Sequence, residues 1–171
     1  MAQPNASRFA AANFIEALNP EAGTTVALYS AKGDELDTAP LAEALAERGV
    51  AILLPAVVGK GKPLAFRLFE VDRGLEDGPY GIQQPPPDAP ERRPEIVVTP
   101  LLAARMAAGA RLGMGGGYYD RTLAALRTEG DVVAVGYGYA DQLVERFPTG
   151  PHDQSLDWFV SERGAKRWER R

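Results

Sequence analysis

The sequence predicts an α/β fold with a mainly parallel sheet. Short apolar and β-branched segments alternate with amphipathic helical segments along the chain. Strand, helix and strand at short spacing favour parallel pairing through a right-handed crossover. A length of 171 residues, with 45% hydrophobic and 25% charged residues, is typical of one globular domain. We therefore expect a single domain over residues 1–171.

The first half of the chain predicts two helices and three strands. Capping residues and Asn-Pro or Gly stops set the helix ends, and β-branched runs set the strands. The predicted elements are a helix capped at Asn5 or Ser7 and running through Leu18, a strand at 25–29, a helix at 38–48 ended by Gly49, and strands at 50–54 and 64–69.

The second half continues the same alternation after a proline-rich segment. Residues 77–94 include Pro85, Pro86 and Pro87, which cannot donate hydrogen bonds within a sheet, so we expect a connection across the surface. The sequence then predicts a strand at 95–99, a helix at 117–127 and a strongly apolar strand at 131–137.

Composition and charge exclude several classes of protein. Lys and Arg number 19 against 23 Asp and Glu, so a formal charge of -4 gives no general attraction for nucleic acid. There are no cysteines for disulfides, thiol catalysis or metal binding. The first residues lack the order of a secretory signal, and no apolar run reaches the ~20 residues that span a bilayer. We expect a cytoplasmic monomer without nucleic-acid or membrane partners.

A glycine cluster directly before the 117–127 helix is the first candidate site. Gly113, Gly115, Gly116 and Gly117 allow backbone amides to approach a ligand at the positive end of the helix. Phosphate is the ligand that suits such a loop. A plain tight turn explains the glycines equally well when they are considered alone.

The residues around the glycines favour the phosphate interpretation. Arg111 supplies a planar cation before the cluster, and Tyr118, Tyr119 and Asp120 supply aromatic rings and a carboxylate after it. A turn needs none of these. The alternative is that the tyrosines pack against the sheet and that Asp120 only favours the helix dipole.

The segment RLGMGGGYYD at 111–120 resembles the signature of the 5-formyltetrahydrofolate cyclo-ligases, also called 5,10-methenyltetrahydrofolate synthetases. Other segments are similar to that family in the same order. They are Tyr29 followed by DELDT at 34–38, GIQQP at 81–85, Gln142, and PHDQ at 151–154. Several separated motifs in the correct order are more specific than one glycine loop.

The resemblance implies a three-layer α/β/α fold and a reaction. That reaction is the closure of 5-formyltetrahydrofolate to 5,10-methenyltetrahydrofolate, with ATP as co-substrate and Mg²⁺ as cofactor. The implied residues are Arg111, Leu112, Gly113, Met114, Gly115, Gly116, Gly117, Tyr118 and Tyr119 for ATP, with Arg111 and Tyr119 catalytic; Glu35, Ser30 and Tyr118 for the folate; and Asp120 and Asp153 for Mg²⁺.

Simpler interpretations remain for some of these residues. Glu35 precedes a predicted helix whose dipole favours an acid, and Asp153 suits a solvated turn. His152 is the only histidine, and we leave it out of catalysis because an exposed loop histidine beside Pro151 is the commoner case.

The sequence also departs from the family it resembles. The family usually opens with a basic helix that reaches ATP, whereas this sequence begins at what resembles the following helix. Either the native chain starts further upstream, which we favour, or this homologue has lost the helix. Arg105-Met106 stands where Phe-Asp is common, and Gln84 where many members have Glu. Besides an active cyclo-ligase, a non-catalytic homologue that binds folate or nucleotide, and an α/β protein that binds another phosphate ester, stay open.

Overall fold

The computed structural model describes residues 5–169. The helices are α1 (Ala6–Leu18), α2 (Ala39–Glu47) and α3 (Tyr118–Glu129). The strands are β1 (Thr25–Ala27), β2 (Ala51–Ala56), β3 (Ala65–Leu68), β4 (Glu76–Asp77), β5 (Gln83–Gln84), β6 (Ile96–Thr99), β7 (Ala103–Arg105), β8 (Arg111–Leu112), β9 (Val133–Tyr137), β10 (Leu143–Val144), β11 (Trp158–Ser161) and β12 (Gly164–Arg167). Within these residues no helix is long and apolar enough to cross a membrane.

A seven-stranded sheet in the order β12-β11-β9-β6-β1-β2-β3 forms the centre of the fold. Its inner pairings, from β11 through β9, β6 and β1 to β2, are all parallel. The two edge strands, β3 and β12, pair antiparallel. The mixed α/β class and the mainly parallel sheet predicted from the sequence are confirmed.

Hydrophobic side chains from the two faces of this sheet pack against different helices. Neighbouring residues of a strand point to opposite faces. Val26 belongs to a fully buried cluster with Phe14 of α1 and Leu45 of α2. Ala27, the next residue, belongs to a second cluster with Leu123 of α3. The helices are therefore divided between two hydrophobic clusters.

The strand order changes direction beside β1. From β1 the chain passes through α2 to β2, and it later returns to β6 on the other side of β1 before continuing outward to β9 and β11. In parallel α/β sheets a crevice opens at such a point, beyond the carboxyl ends of the strands. The residues that follow β1 and β6 are therefore placed at one edge of the sheet.

The predicted helices and strands are all present, with ends that differ by a few residues. Asn5 and Asn19 flank α1, and both have left-handed conformations. The helix ends where the Asn19-Pro20 stop signal indicated, but Asn5 makes no side-chain capping hydrogen bond. The edge hairpin β11-β12 and a three-stranded sheet of β10, β7 and β8 were not predicted. Their strands are two to four residues long, too short to show a periodic pattern.

The proline-rich segment is more ordered than the predicted surface connection. It contains the hairpin β4-β5, and Gln84 is buried where its side-chain oxygen accepts a hydrogen bond from the Val57 amide at 3.2 Å. Arg67 of β3, also buried, donates to the Pro85 carbonyl at 3.0 Å. These two contacts attach the segment to the edge of the main sheet.

Candidate functional site

The glycine loop lies between β8 and α3 and turns through left-handed conformations. Gly115 has φ 98° and Gly117, which caps α3, has φ 71°. The backbone amides from Gly115 to Asp120 have no hydrogen-bond acceptor among residues 5–169. Unpaired amides at a turn and in the first turn of a helix form a concave, positively polarised surface for an anion.

Arg111 lies beneath this loop. It is 8% exposed, and its Nη1 donates to the Pro100 carbonyl at 2.8 Å, just after β6. The guanidinium carbon is 5.3 Å from the centre of the Tyr119 ring. A Cβ added at Gly113 would lie 2.8 Å from Nη1, so glycine lets the loop pass over the cation.

Burial lowers the pKa of Arg111, and the nearby groups Asp120, Tyr119 and Asp153 oppose this effect. Its Nε has no hydrogen-bond partner among the described residues. A buried guanidinium that lacks a full set of partners is costly unless an anion approaches it.

The two consecutive tyrosines point to different neighbours. The Tyr118 hydroxyl lies 3.2 Å from that of Tyr80, and this hydrogen bond raises the pKa of Tyr118. Tyr119 packs against the second hydrophobic cluster and beside Arg111. Burial raises the pKa of Tyr119, which keeps its hydroxyl protonated as a hydrogen-bond donor.

Glu35 lies near Tyr119 although the two are far apart in sequence. The charge of Glu35 raises the pKa of both Tyr119 and Tyr29. Tyr29 follows β1, is buried, and donates its hydroxyl to the Leu36 carbonyl at 2.7 Å. The sheet therefore places the residues after β1 beside the first turn of α3.

Glu35 is only partly buried, and its own pKa is raised by that burial. The charge of Lys32 and a hydrogen bond with the Lys32 backbone act in the opposite direction. Ser30, on the same loop, donates its hydroxyl to the Gln83 carbonyl at 3.0 Å. Its oxygen keeps capacity to accept a further hydrogen bond.

Asp120 and Asp153 both lie within electrostatic reach of Arg111. Asp120 accepts a hydrogen bond from the Gln154 amide at 3.0 Å, and Asp153 accepts one from the Gly150 amide at 2.8 Å. Each uses one carboxylate oxygen in this way. Among the described residues, no group of three or more His, Cys, Asp or Glu side chains could hold a metal ion by itself.

The other predicted residues lie at the surface of the loop. Leu112 is 37% exposed and Met114 is 84% exposed. Gly116 is exposed as well, and His152, which we left out of catalysis, is exposed in its loop. Leu112 and Met114 thus form an apolar rim beside the unpaired amides.

Three residues at the site were not predicted from the sequence. Lys32 donates to the Tyr80 carbonyl, Tyr80 contacts Tyr118, and Arg121 donates to the Gly116 carbonyl at 2.8 Å. Tyr80 has φ 63° and is 61% exposed. An aromatic residue next to Gly81 in the proline-rich segment was the only signal available for it.

The turn at residues 106–109, before Arg111, is held by residues near the carboxyl end of the chain. Ala108 and Gly109 both have φ 67°. The Trp168 indole donates to the Met106 carbonyl at 2.8 Å, and the Leu156 amide donates to the Gly109 carbonyl at 2.8 Å. Of the Arg105-Met106 pair that departs from the family pattern, Arg105 ends β7 and Met106 begins this turn, where it is 48% exposed.

The fold and the loop together define a class of protein. It is an α/β protein with a parallel sheet and a glycine loop of unpaired amides before a helix, at the edge where ligands bind in such sheets. The model of the 5-formyltetrahydrofolate cyclo-ligase family matches residues 2–162. The chain belongs to this family.

Individual relatives agree with the family model. The chain is similar to a 5-formyltetrahydrofolate cyclo-ligase of Escherichia coli K12, with 36% identity over 85% of this chain and 80% of the relative. A cyclo-ligase of Mycolicibacterium smegmatis is 33% identical over 78% of this chain and 71% of the relative.

Solved structures share the fold. A 5,10-methenyltetrahydrofolate synthetase of Aquifex aeolicus has a TM-score of 0.76 and 28% identity, covering 94% of this chain and 80% of the other. A synthetase of Mycoplasma pneumoniae has a TM-score of 0.70 at 20% identity, covering 92% and 85% of the two chains, which supports the fold alone.

Replacing Gly109 by Ala should destabilise the protein more than replacing Gly61. Both glycines are left-handed, with φ 67° and 74°, and this backbone strain costs about 1–2 kcal/mol in a residue with a Cβ. A Cβ at Gly109 would also lie 2.7 Å from the Leu156 carbonyl oxygen, whereas nothing lies within 4 Å of one at Gly61. We expect an additional loss of about 1–3 kcal/mol for Gly109→Ala, measured by urea unfolding. Equal losses would show that the turn can move away from Leu156.

Proposed function

We propose that this protein is an active 5-formyltetrahydrofolate cyclo-ligase that uses ATP and Mg²⁺ to form 5,10-methenyltetrahydrofolate, ADP and phosphate. The observation that carries the proposal is a run of backbone amides, from Gly115 to Asp120, that have no acceptor among residues 5–169. They lie in a loop that passes close to the buried Arg111, in a member of this family. Such a surface suits the phosphates of a nucleotide and needs no nucleophilic side chain.

The loop residues take the nucleotide in this proposal. The amides at Gly115, Gly116 and Gly117 donate to phosphate oxygens, with Gly113 giving the loop its close approach to Arg111. Arg111 supplies positive charge from below, although one of its nitrogens is already engaged by the Pro100 carbonyl. Leu112 and Met114 provide apolar contact at the rim, where both are exposed.

The reaction requires an activated formyl oxygen. The terminal phosphoryl group of ATP moves to this oxygen, which releases ADP and makes the formyl carbon electrophilic. The neighbouring aryl amine nitrogen then attacks that carbon and closes the ring. Phosphate leaves with the former formyl oxygen, where hydroxide could not. Arg111 and the Tyr119 hydroxyl, whose pKa is raised by burial, stabilise negative charge as the phosphoryl group moves.

In this proposal the folate binds to the residues that follow β1, at the same edge of the sheet as the glycine loop. Glu35 accepts hydrogen bonds from the folate, Ser30 adds a hydroxyl, and Tyr118 borders the ring. The electrostatic proximity of Glu35 to Tyr119 supports this assignment, because it brings the folate side within reach of the loop. Two substrates that react with each other must bind in such proximity.

Asp120 and Asp153 are residue types that suit a magnesium ion, which supports their assignment to it. Mg²⁺ binds carboxylate oxygens and commonly takes its remaining ligands from phosphates and water. Asp120 and Asp153 each keep one carboxylate oxygen without a hydrogen-bond partner among the described residues. They would hold the ion, whose charge would neutralise the phosphates during transfer.

The division of helices between two hydrophobic clusters supports a three-layer α/β/α arrangement. We also propose that residues 1–171 act as one domain and as a cytoplasmic monomer, without nucleic-acid or membrane partners.

The first experiment follows the absorbance of the methenyl product when the protein, 5-formyltetrahydrofolate, ATP and Mg²⁺ are mixed. We expect absorbance to grow only when ATP is present. The reaction without ATP is the control. Tight folate binding without ATP-dependent product would reject the enzyme and select a non-catalytic binding protein.

Replacing Glu35 by Gln should weaken folate binding and change its pH dependence. Burial raises the pKa of Glu35 above the usual ~4.3, so wild-type affinity should fall with decreasing pH sooner than an ordinary glutamate would cause. The neutral amide should bind weakly and lack this decrease. Folate affinity measured by titration across pH checks both effects, with exposed Glu21→Gln as the control.

The stability of the Glu35→Gln protein separates a binding role from a structural one. A carboxyl group with a raised pKa in the folded state reduces stability as pH rises through the interval between its unfolded and folded pKa values. Removing its charge therefore should not lower the melting temperature at pH 7. A clear decrease would indicate that Glu35 supports the fold.

Replacing Asp120 by Asn should raise the magnesium requirement. The amide oxygen can still accept the hydrogen bond from Gln154, but the charge that attracts the ion is lost. We expect half-maximal activity at about tenfold more Mg²⁺ or higher. Asp131→Asn, which changes an exposed acid after α3, is the control. An unchanged requirement would remove Asp120 from the metal site.

A further inference from the structure

Arg121 is one turn into α3 and reaches back over the glycine loop. Its Nη2 donates to the Gly116 carbonyl at 2.8 Å, and its guanidinium carbon is 5.0 Å from the centre of the Tyr118 ring. Its Nε is buried and has no hydrogen-bond partner among the described residues. The side chain therefore donates to a backbone carbonyl of the loop and lies against the Tyr118 ring at the start of α3.

Gly117 leaves the space that Arg121 occupies. A Cβ added at Gly117 would lie 2.7 Å from Nη1 of Arg121. Its φ of 71° also favours glycine. A side chain at this position would push the guanidinium away from the Gly116 carbonyl.

The contact at Gly116 determines the direction of a neighbouring amide. In a planar trans peptide the carbonyl and the following N–H point in opposite directions. Because the Gly116 carbonyl is turned toward Arg121, the Gly117 N–H is turned away from that cation. This N–H has no acceptor among residues 5–169. A peptide between two glycines has no side chain to hold its orientation, so the arginine contact restrains it.

We propose that Arg121 is a positioning residue that holds the Gly116–Gly117 peptide so that the Gly117 N–H faces the nucleotide phosphates. In this role Arg121 acts through its hydrogen bond to the Gly116 carbonyl. The ring of Tyr118 keeps the guanidinium in place, since a planar cation stacks favourably on an aromatic face. This inference rests on the proposed function for the identity of the anion.

The test follows the Gly117 amide by ¹⁵N–¹H NMR while the full chain is titrated with inorganic tripolyphosphate. In the wild type we expect this resonance to shift and saturate. Arg121→Met keeps a long side chain over Tyr118 but removes the donor, and should bind tripolyphosphate about tenfold more weakly with a smaller Gly117 shift. Arg121→Lys should restore part of the affinity.

Arg48→Met is the matched control. Arg48 also donates to a backbone carbonyl, that of Pro20 at 3.2 Å, but it lies before β2 at the opposite edge of the sheet. Tripolyphosphate binding should be unchanged in this variant. Its spectrum and those of the Arg121 variants report whether the fold is intact.

The outcomes separate the two proposals. No shift in the wild type would reject phosphate binding by the loop, and with it the proposed function. A wild-type shift with equal affinity and an equal Gly117 shift in Arg121→Met would overturn the role of Arg121 alone. In the complete reaction, Arg121→Met should raise the KM for ATP about tenfold and leave the KM for the folate unchanged. Equal changes in both would indicate a general structural role and also overturn the inference.

Discussion

The site depends on one buried cation. The Arg111 guanidinium lies between the carbonyl of Pro100, the ring of Tyr119 and the backbone at Gly113. These groups belong to the end of a central strand, the start of α3 and the glycine loop. Burying a guanidinium is costly unless its surroundings compensate its charge. The loop, the helix and the sheet edge are therefore held in one arrangement around it.

Electrostatic balance around Arg111 explains why acids and unpaired amides occur together. Asp120 and Asp153 lie near the cation and offset part of its burial cost. The amides from Gly115 to Asp120 supply positive polarisation without further charged side chains. A divalent cation that enters with a polyphosphate anion would cancel part of the anion's charge, so that adding both is less costly than adding either alone.

Most of the fold could be predicted from the sequence because its longer elements have clear periodicity and end signals. Asn5, Asn19-Pro20 and Gly49 bound the first helices where the structure bounds them, within a residue or two. The hairpin at 158–167 and the strands near Arg111 are too short for any period to appear. Their formation depends on pairing with distant segments, which single-sequence reasoning does not detect.

The glycine loop was predictable because its residues are contiguous. The proximity of Glu35 to Tyr119 was not predicted, since the two residues are brought together by strand order. The burial of Arg111 was not predicted, because an arginine beside glycines is expected to be exposed. Lys32, Tyr80 and Arg121 act through backbone carbonyls and one hydroxyl contact. Such contacts leave little signal in a sequence.

The contacts among Lys32, Tyr80 and Tyr118 have a thermodynamic consequence. They join the loop after β1, the proline-rich segment and the first turn of α3 through one exposed tyrosine pair. A ligand that binds more tightly while the Tyr80 and Tyr118 hydroxyls are in contact stabilises that contact. It thereby favours the binding of a second ligand that also requires the contact. Such coupling is reciprocal: each ligand changes the affinity of the other by the same factor. The free energy of the contact between the Tyr80 and Tyr118 hydroxyls would then contribute to cooperativity between two different substrates.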